Sequence, residues 1–327
     1  MASYIVKRCL YLVPTLIAIS IVVFIVIQLP PGDYVTTYVM RLEQEGVSLS
    51  QHQIDQMREM YGLDKPMHIR YLKWMAGIFR GDFGFSFEWN RPVAELIGGR
   101  LALTVAVSLT SLIFTWVVSF VIGFYSATHQ YSVGDYLATF IGFIGLATPN
   151  FMLALVLMWF AYSRFGFIYG GLFSPEYAMA PWGMGKFFDM LKNLWLPVLV
   201  IGTSGTAGQI RILRANLLDE LAKPYVTTAR AKGLSEIKLV LKYPVRIALI
   251  PFVSTAGWRL SSLVSGSVVT ATVLNLPTTG PMLLAALKSQ DMYLAGSFIL
   301  FLGLLTVGGT LLSDILLAAL DPRIRYQ

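Results

Sequence analysis

The sequence predicts an all-α membrane protein with six transmembrane helices and both termini in the cytoplasm. Three observations carry that expectation. Of 327 residues, 56% are hydrophobic and 13% charged, against about 25% charged in soluble domains. The apolar residues are gathered into runs long enough to cross a bilayer core of about 30 Å, which takes about 20 helical residues. The Lys and Arg residues collect on one side of those runs. The runs are continuous rather than alternating, which selects helices over barrel strands.

The first run, about Leu10 to Leu29, follows Lys7-Arg8. It is longer than a signal-peptide core and lacks a small-x-small cleavage site, so it reads as a retained span. Pro30-Pro31-Gly32-Asp33 stops it. Residues 1–29 are then an N-terminal transmembrane helix and 30–99 an external helical loop. In that loop, Ser50-Gln-His-Gln53 reads as a capping box, with Ile54, Met57 and Tyr61 at helical spacing and Gly62 as the stop. After Pro66, Ile69, Leu72, Ala76 and Phe79 form the expected packing stripe of a second helix. Residues 100–327 make a five-helix core, with spans near Leu101–Ala127, Tyr136–Ser163, Leu194–Leu213, Ile247–Leu274 and Met292–Leu317.

Orientation follows from the basic residues. The segment 209–246 holds Arg211, Arg214, Lys223, Arg230, Lys232, Lys238, Lys242 and Arg246. With Lys7, Arg8, Arg323 and Arg325, that puts twelve of the 25 basic residues on one side. The long loop 30–99 carries seven basic residues and nine acids, and loops beyond about 60 residues are largely exempt from the charge rule. The segment 209–246 and both termini therefore face the cytoplasm. The basic pI of 9.4 follows from that bias together with anionic membrane lipid, and needs no nucleic acid.

Inside the runs, chemistry is sparse. His52, His68 and His129 all fall in loops, without metal or triad spacing, and Cys9 stands alone. The sequence offers no catalytic residue, no metal site and no cofactor-binding motif. An ion-coupled secondary transporter, the alternative of a different class, would need paired broken repeats or membrane carboxylates. Neither is visible. Arg259 and Asp314 are the charges within apolar runs, and an intramembrane charge is by default a functional candidate. Arg259, with Trp258 and Ser262, is the candidate lining of a translocation path, the competing reading being an ion pair between helices. Gly202, Gly205 and Gly208, Gly142, Gly145 and Pro149, and the serines near 261–267 mark close helix packing.

The segment after the fourth run is the most informative. Pro224 suits a first helical position, residues 225–232 allow about two turns, and Gly233 suits the left-handed stop. Ser235 is the expected cap of a helix beginning near Glu236. Tyr225, Thr227, Thr228, Ala229, Arg230, Lys232 and Gly233 make a thin, cationic helix, too short to be stable alone in water. Such a helix fits the groove of a partner.

This segment resembles the cytoplasmic coupling loop of ABC importer permeases. The whole chain is similar to the dipeptide, oligopeptide and nickel branch of that family, in the first-permease form with a large external loop. The shared features are Pro31-Gly32-Asp33, Tyr61-Gly-Leu-Asp-Lys-Pro66, Tyr71-Leu-Lys-Trp74, Gly81-Asp-Phe-Gly84, the coupling segment and Leu320-Asp-Pro-Arg-Ile-Arg-Tyr326. Thr227-Thr228 stand where the broad importer motif has Glu-Ala, as is usual in this branch, and that motif's trailing proline is displaced to Pro251. Ala271-Thr-Val273 and Pro277-Thr-Thr-Gly280 depart from the branch pattern, which leaves peptide and oligosaccharide cargo both open. The resemblance implies a type I importer fold, a second homologous permease subunit, two ATP-binding subunits that use ATP and Mg, and an external solute-binding protein.

Overall fold

The computed structural model describes residues 2–255, 259, 262–263 and 268–320. The contacts divide the chain into two units, one of residues 6–104 and 278–305, the other of 1–5, 105–277 and 306–327.

In the first unit, α1 (Ala2–Gln28) ends before the two prolines. Gly32 takes a left-handed φ of 96°, and Asp33 then starts a helix that the sequence reading treated only as a stop. The Asp33 carboxylate accepts the Thr36 amide at 2.8 Å and its hydroxyl at 2.7 Å, satisfying donors that a helix start leaves open. The helix is α2 (Tyr34–Gln44). The predicted capping box is present on α3 (Gln51–Met60), with Ser50 and Gln53 reciprocally bonded. Ile54, Met57 and Tyr61 pack on Tyr34, Val35, Val39 and Phe87 as the spacing requires. Arg58 ties α3 to the α2 cap, its Nε 3.2 Å from Asp33.

Helix α4 (Met67–Phe79) corrects one expectation. The stripe Ile69, Leu72, Ala76 and Phe79 faces outward, with Leu72 64% and Phe79 76% exposed. The packed face is Tyr71, Trp74 and Ile78, set against Phe24 of α1 and Phe298. This helix is apolar on both sides, and the aromatic side buries more area and can stack. Phe24 lies 5.8 Å from Trp74 and 5.3 Å from Tyr71, centre to centre. The Tyr71 hydroxyl also pairs with Ser20 at 2.9 Å.

A short hairpin, β1 (Phe85–Ser86) antiparallel to β2 (Arg91–Pro92), follows Gly81-Asp-Phe-Gly84. Gly84 has φ 83° and meets the Tyr293 ring so closely that a Cβ would lie 3.0 Å from it, so any other residue there would be strained. Asp291 anchors the hairpin. It is fully buried and accepts Ser86 Oγ at 2.6 Å and the Glu88 amide at 3.2 Å. It also accepts the Leu294 amide at 3.2 Å, capping a helix that begins at Met292. Burial raises the Asp291 pKa, opposed by those hydrogen bonds.

Helix α5 (Val93–Thr128) begins in the first unit and from residue 105 belongs to the second, which also carries α6 (Val133–Ala147), α7 (Asn150–Phe165), α8 (Pro175–Ala178), α9 (Met184–Asn193) and α10 (Trp195–Leu221). The second unit continues with α11 (Pro224–Ala231), α12 (Glu236–Lys242), α13 (Pro244–Ser254) and α14 (Val268–Val273). After α15 (Thr279–Lys288) of the first unit, α16 (Met292–Leu320) ends the described chain. Among the described residues, three helices are long and apolar enough to cross a membrane, at Val93–Thr128, Trp195–Leu221 and Met292–Leu317. The run expected as a single span at 136–163 is instead α6 and α7, set at 105° to each other. Pro149 has no amide and holds Thr148 extended, with ψ 122°, so the helix cannot continue through the pair. Of the run expected at 247–274, α13, α14 and residues 259, 262 and 263 are described. Trp258 and the closing 321–327 lie outside the described residues.

At α10 the packing is closest. Gly202 faces α5, where Thr115 donates to the Gly202 carbonyl at 2.8 Å and Ser119 to that of Thr206 at 3.2 Å. Beyond the apolar stretch, Arg214 grips the buried Asp135 of α6 at 2.8 and 3.2 Å. Sequence pattern gave no sign of that pair.

Asp291→Ala leaves three buried donors unmatched and should lower stability by about 1–3 kcal/mol, read as a loss of thermal stability in detergent. A raised native pKa means the folded state holds a proton that the unfolded state has released. This contribution is therefore greatest at low pH and fades as pH climbs past the ordinary carboxylate range. The Asn variant should abolish that fall, and an unchanged pH profile would show that Asp291 is not its source.

Candidate coupling segment and intramembrane cavity

Helix α11 (Pro224–Ala231) begins at the expected proline and ends one residue short of the expected 225–232 turns. Lys223 takes an extended cap conformation, Pro224 opens the helix and Lys232 closes it. Gly233 has φ 81°. Its amide donates to the Arg230 carbonyl at 3.0 Å and that of Leu234 to Ala229 at 3.4 Å, the paired bonds of a left-handed helix stop. Ser235 corrects a detail: it has the extended backbone of a cap, but its side chain makes no cap bond to α12.

The spacing did not reveal what holds α11 in place. Val226 is 0% exposed and plugs into Leu213 and Leu217 of α10, Leu239 and Val240 of α12, and Val245 and Ala248 of α13. Complete burial of such a side chain contributes about 1.5–3 kcal/mol. A single valine between polar residues carries no periodicity, so only its neighbours in space identify it. With Val226 inward, Thr227, Thr228, Arg230 and Lys232 stand exposed. Ala229 and Leu234 pack partly on the same cluster. Tyr225, Thr228, Ala229, Lys232, Leu234 and Tyr243 line an open groove of about 350 Å³.

Two polar contacts brace this surface. The Tyr225 hydroxyl donates to Glu220 at 2.7 Å; burial and that carboxylate push its pKa up. Arg230 forks onto Glu236 of α12 through Nε and Nη2, and the guanidinium holds the Glu236 carboxyl below its ordinary range. Arg230 therefore has an acidic partner within its own chain, whereas Lys232 is the cation left outward. Exposed pairs of this kind contribute little to stability, so the packing of Val226 rather than this fork holds α11 in place.

The second candidate lies among the spans. The Arg259 guanidinium rests on the glycines of α10: a Cβ built on Gly205 would come 2.6 Å from Nη1, and one on Gly208 3.1 Å from Nη2. Two of the three glycines thus vacate room for a cation, while Gly202 vacates room for Phe114, whose ring would stand 2.5 Å from a Cβ. Arg259 and Ser262 line a cavity of about 370 Å³ with Thr115, Asn150 and Ser204. The Arg259 Nε has no hydrogen-bond partner among the described residues, and none of their carboxylates pairs with the guanidinium. Asp314 sits half-buried on α16, beside Ser313, which donates to the Ser254 carbonyl at 3.1 Å. No group of His, Cys, Asp or Glu among the described residues is placed to hold a metal.

Among the described residues, helices long and apolar enough to span a membrane, a bent α6–α7 pair and a short helix packed against α10 define an integral membrane protein with a structured segment between its spans. The comparisons with known proteins agree. Residues 119–326 match the binding-protein-dependent transport system inner membrane components, and residues 1–110 match the N-terminal part of such membrane components. The chain belongs to this family of integral membrane permeases. It is 36% identical to the oligopeptide transport system permease protein AppB of Bacillus subtilis over 330 residues, covering 100% of each chain. It is 31% identical to the glutathione transport system permease protein GsiC of Escherichia coli K12, again over 100% of each. A putative peptide permease of Brucella ovis shares 30% over 99% of each chain.

The two glycine environments predict opposite responses to one methyl group. Gly202→Ala drives a Cβ into a ring backed by helix backbone and should cost about 1–3 kcal/mol. Gly205→Ala meets the far end of a flexible side chain and should cost less. Thermal unfolding of both variants in one detergent decides it, and equal losses would contradict the assigned packing.

Proposed function

We propose that this chain forms half of the translocation pathway of an ATP-driven importer in a prokaryotic cytoplasmic membrane. The observation that carries the reading is the pinned helix α11, whose buried face is a single valine and whose outer face is small and cationic. The lever needs both ends fixed, and the helix stop at Gly233 and the Val226 plug supply that. Tyr225, Thr227, Thr228, Ala229, Arg230, Lys232 and Gly233 form the ATPase-coupling segment. ATP and Mg act in two partner ATPase subunits, so this chain is a transport subunit and not itself an enzyme. A second homologous permease, in a heterodimer, and an external solute-binding protein complete the machine.

The membrane topology has six helices: α1, α5, the bent α6–α7 pair, α10, the run from α13 to α14, and α16. Both termini and residues 209–246 are cytoplasmic, and residues 30–99 are external. Arg259, with Trp258 and Ser262, lines the path. The cavity-lining cation, without a counter-charge among the described residues, supports lining over an ion pair, since an unpaired guanidinium in hydrocarbon needs water. The names of the three relatives speak of peptide, oligopeptide or glutathione, which favours peptide cargo over oligosaccharide.

In a Cys9→Ser background, a cysteine at Glu45 should react with an impermeant reagent applied to intact cells, and one at Glu236 should not. Labelling at 236 would overturn the topology. In reconstituted complexes, Gly233→Val strains the left-handed stop by about 1 kcal/mol or more, and Ala229→Phe fills the groove. Each should reduce substrate-stimulated ATP hydrolysis and uptake while assembly persists; normal coupling in both would make the segment a plain connector. Gly205→Ala should also alter uptake by displacing Arg259, and unaltered uptake would remove Arg259 from the path.

A further inference from the structure

The excursion between α7 and α10, residues 166–193, is built inside out. On α9, Lys186, Asp189 and Asn193 are buried. Asp189 accepts the Ser174 amide at 2.7 Å and hydroxyl at 2.6 Å. Lys186 donates to the Ala180 carbonyl at 2.7 Å and lies 4.8 Å from the centre of the Phe173 ring. Asn193 donates to the Asp189 carbonyl at 3.0 Å. The opposite face shows Met184, Phe187, Phe188 and Leu191, with Met184 71% and Phe188 60% exposed. A helix at a water-facing surface has the reverse arrangement.

Two further observations say what covers this face. Lys192 of α9 lines an apolar groove of about 600 Å³ beside α7, formed by Leu157, Phe160, Phe165, Phe167 and Trp195, and is its one charged lining residue. Lys192 is also the sole charge on the exposed face of α9. Trp182 stands exposed on the excursion and Trp195 at the start of α10, and aromatic rings beside a lysine are the residues that settle at the headgroup level.

We propose that α9 lies in the plane of the bilayer interface, its Met184, Phe187, Phe188 and Leu191 face immersed in acyl chains. The groove takes one acyl chain of a phospholipid whose phosphate meets the Lys192 ammonium. Burial of the polar residues is what makes this possible, because Asp189 and Asn193 find their hydrogen bonds inside the excursion and leave the outer face free of unmet polar groups. Helices with one strongly apolar face bind membranes in this orientation. The inference needs only that the chain is integral to a membrane, and stands whichever side the excursion occupies.

The test uses the assembled transporter in phospholipid nanodiscs, in a Cys9→Ser background, with nitroxides at positions 188 and 191 and a comparison label at Glu176. Power saturation should show collisions with oxygen exceeding those with an aqueous nickel chelate severalfold at 188 and 191, and the reverse at 176. Dominant collisions with the chelate would overturn the proposal in favour of a solvent face. Protection from both reagents would overturn it in favour of a protein partner, the second permease subunit foremost. A phospholipid with a photoactivatable acyl chain should label the 157–195 region. Lys192→Gln, kept as monodisperse complex, should reduce that labelling about fivefold, the equivalent of about 1 kcal/mol per basic residue at an anionic surface. Undiminished labelling would remove Lys192 from the site.

Discussion

The close approach permitted by the glycines of α10 is the constraint on which the rest of this unit depends. Hydrocarbon offers no hydrogen bonds, so each span must satisfy its own backbone, and side-chain polarity is tolerated only where a neighbour answers it. On one side, Gly202 lets α5 come near enough for Thr115 and Ser119 to donate to α10 carbonyls. Around the helix, Gly205 and Gly208 leave a berth for the Arg259 guanidinium. The apolar stretch of α10 is 61% buried, against 11% for that of α16. In a membrane, where apolar side chains gain little by leaving lipid, such contacts are the main source of helix association.

The same helix extends past the apolar stretch and becomes the foundation of the proposed coupling segment. Leu213 and Leu217 continue its buried face and receive Val226, while Arg214 locks the flank to Asp135. A buried carboxylate paired through two hydrogen bonds is costly to separate, about 3 kcal/mol or more when both charges are fully enclosed. Arg214 remains partly open to solvent, so the pair acts more as a register pin than as a large stabiliser. Short α11, unstable alone, is thereby held at a set angle to a long span, the arrangement a mechanical lever requires.

Punctuation was the most legible part of the sequence. Pro224 and Gly233 bounded α11, Ser50 and Gln53 opened α3, and Gly62 closed it, because proline, glycine and cap residues act through local backbone geometry that pattern displays directly. Amphipathic choices were less legible. The stripe at Ile69, Leu72 and Phe79 had the right spacing, yet α4 is apolar on two sides and the aromatic pair Tyr71 and Trp74 took the interior. Asp33 follows Pro30-Pro31-Gly32 and so carries a stop signal in sequence, yet it is equally a start, since a cap belongs to the helix that follows it. The excursion carrying α9 escaped notice because its interior is polar, inverting the rule by which buried faces are found. Val226, Asp135 with Arg214, and Asp291 are single residues whose partners lie far along the chain, and no periodicity encodes them.

The central claim is that α11 and α10 move as one body. A pair of nitroxides at Trp195 and Ala231 spans the length of α10, about 40 Å at 1.5 Å per residue, within reach of pulsed dipolar measurement. In the assembled transporter, the account predicts one narrow distance that is the same at rest and with ATP trapped, even as distances to the partner permease change. A shift of several ångströms, or a broad distribution in either state, would show that α11 swings freely on α10 and would contradict the claim.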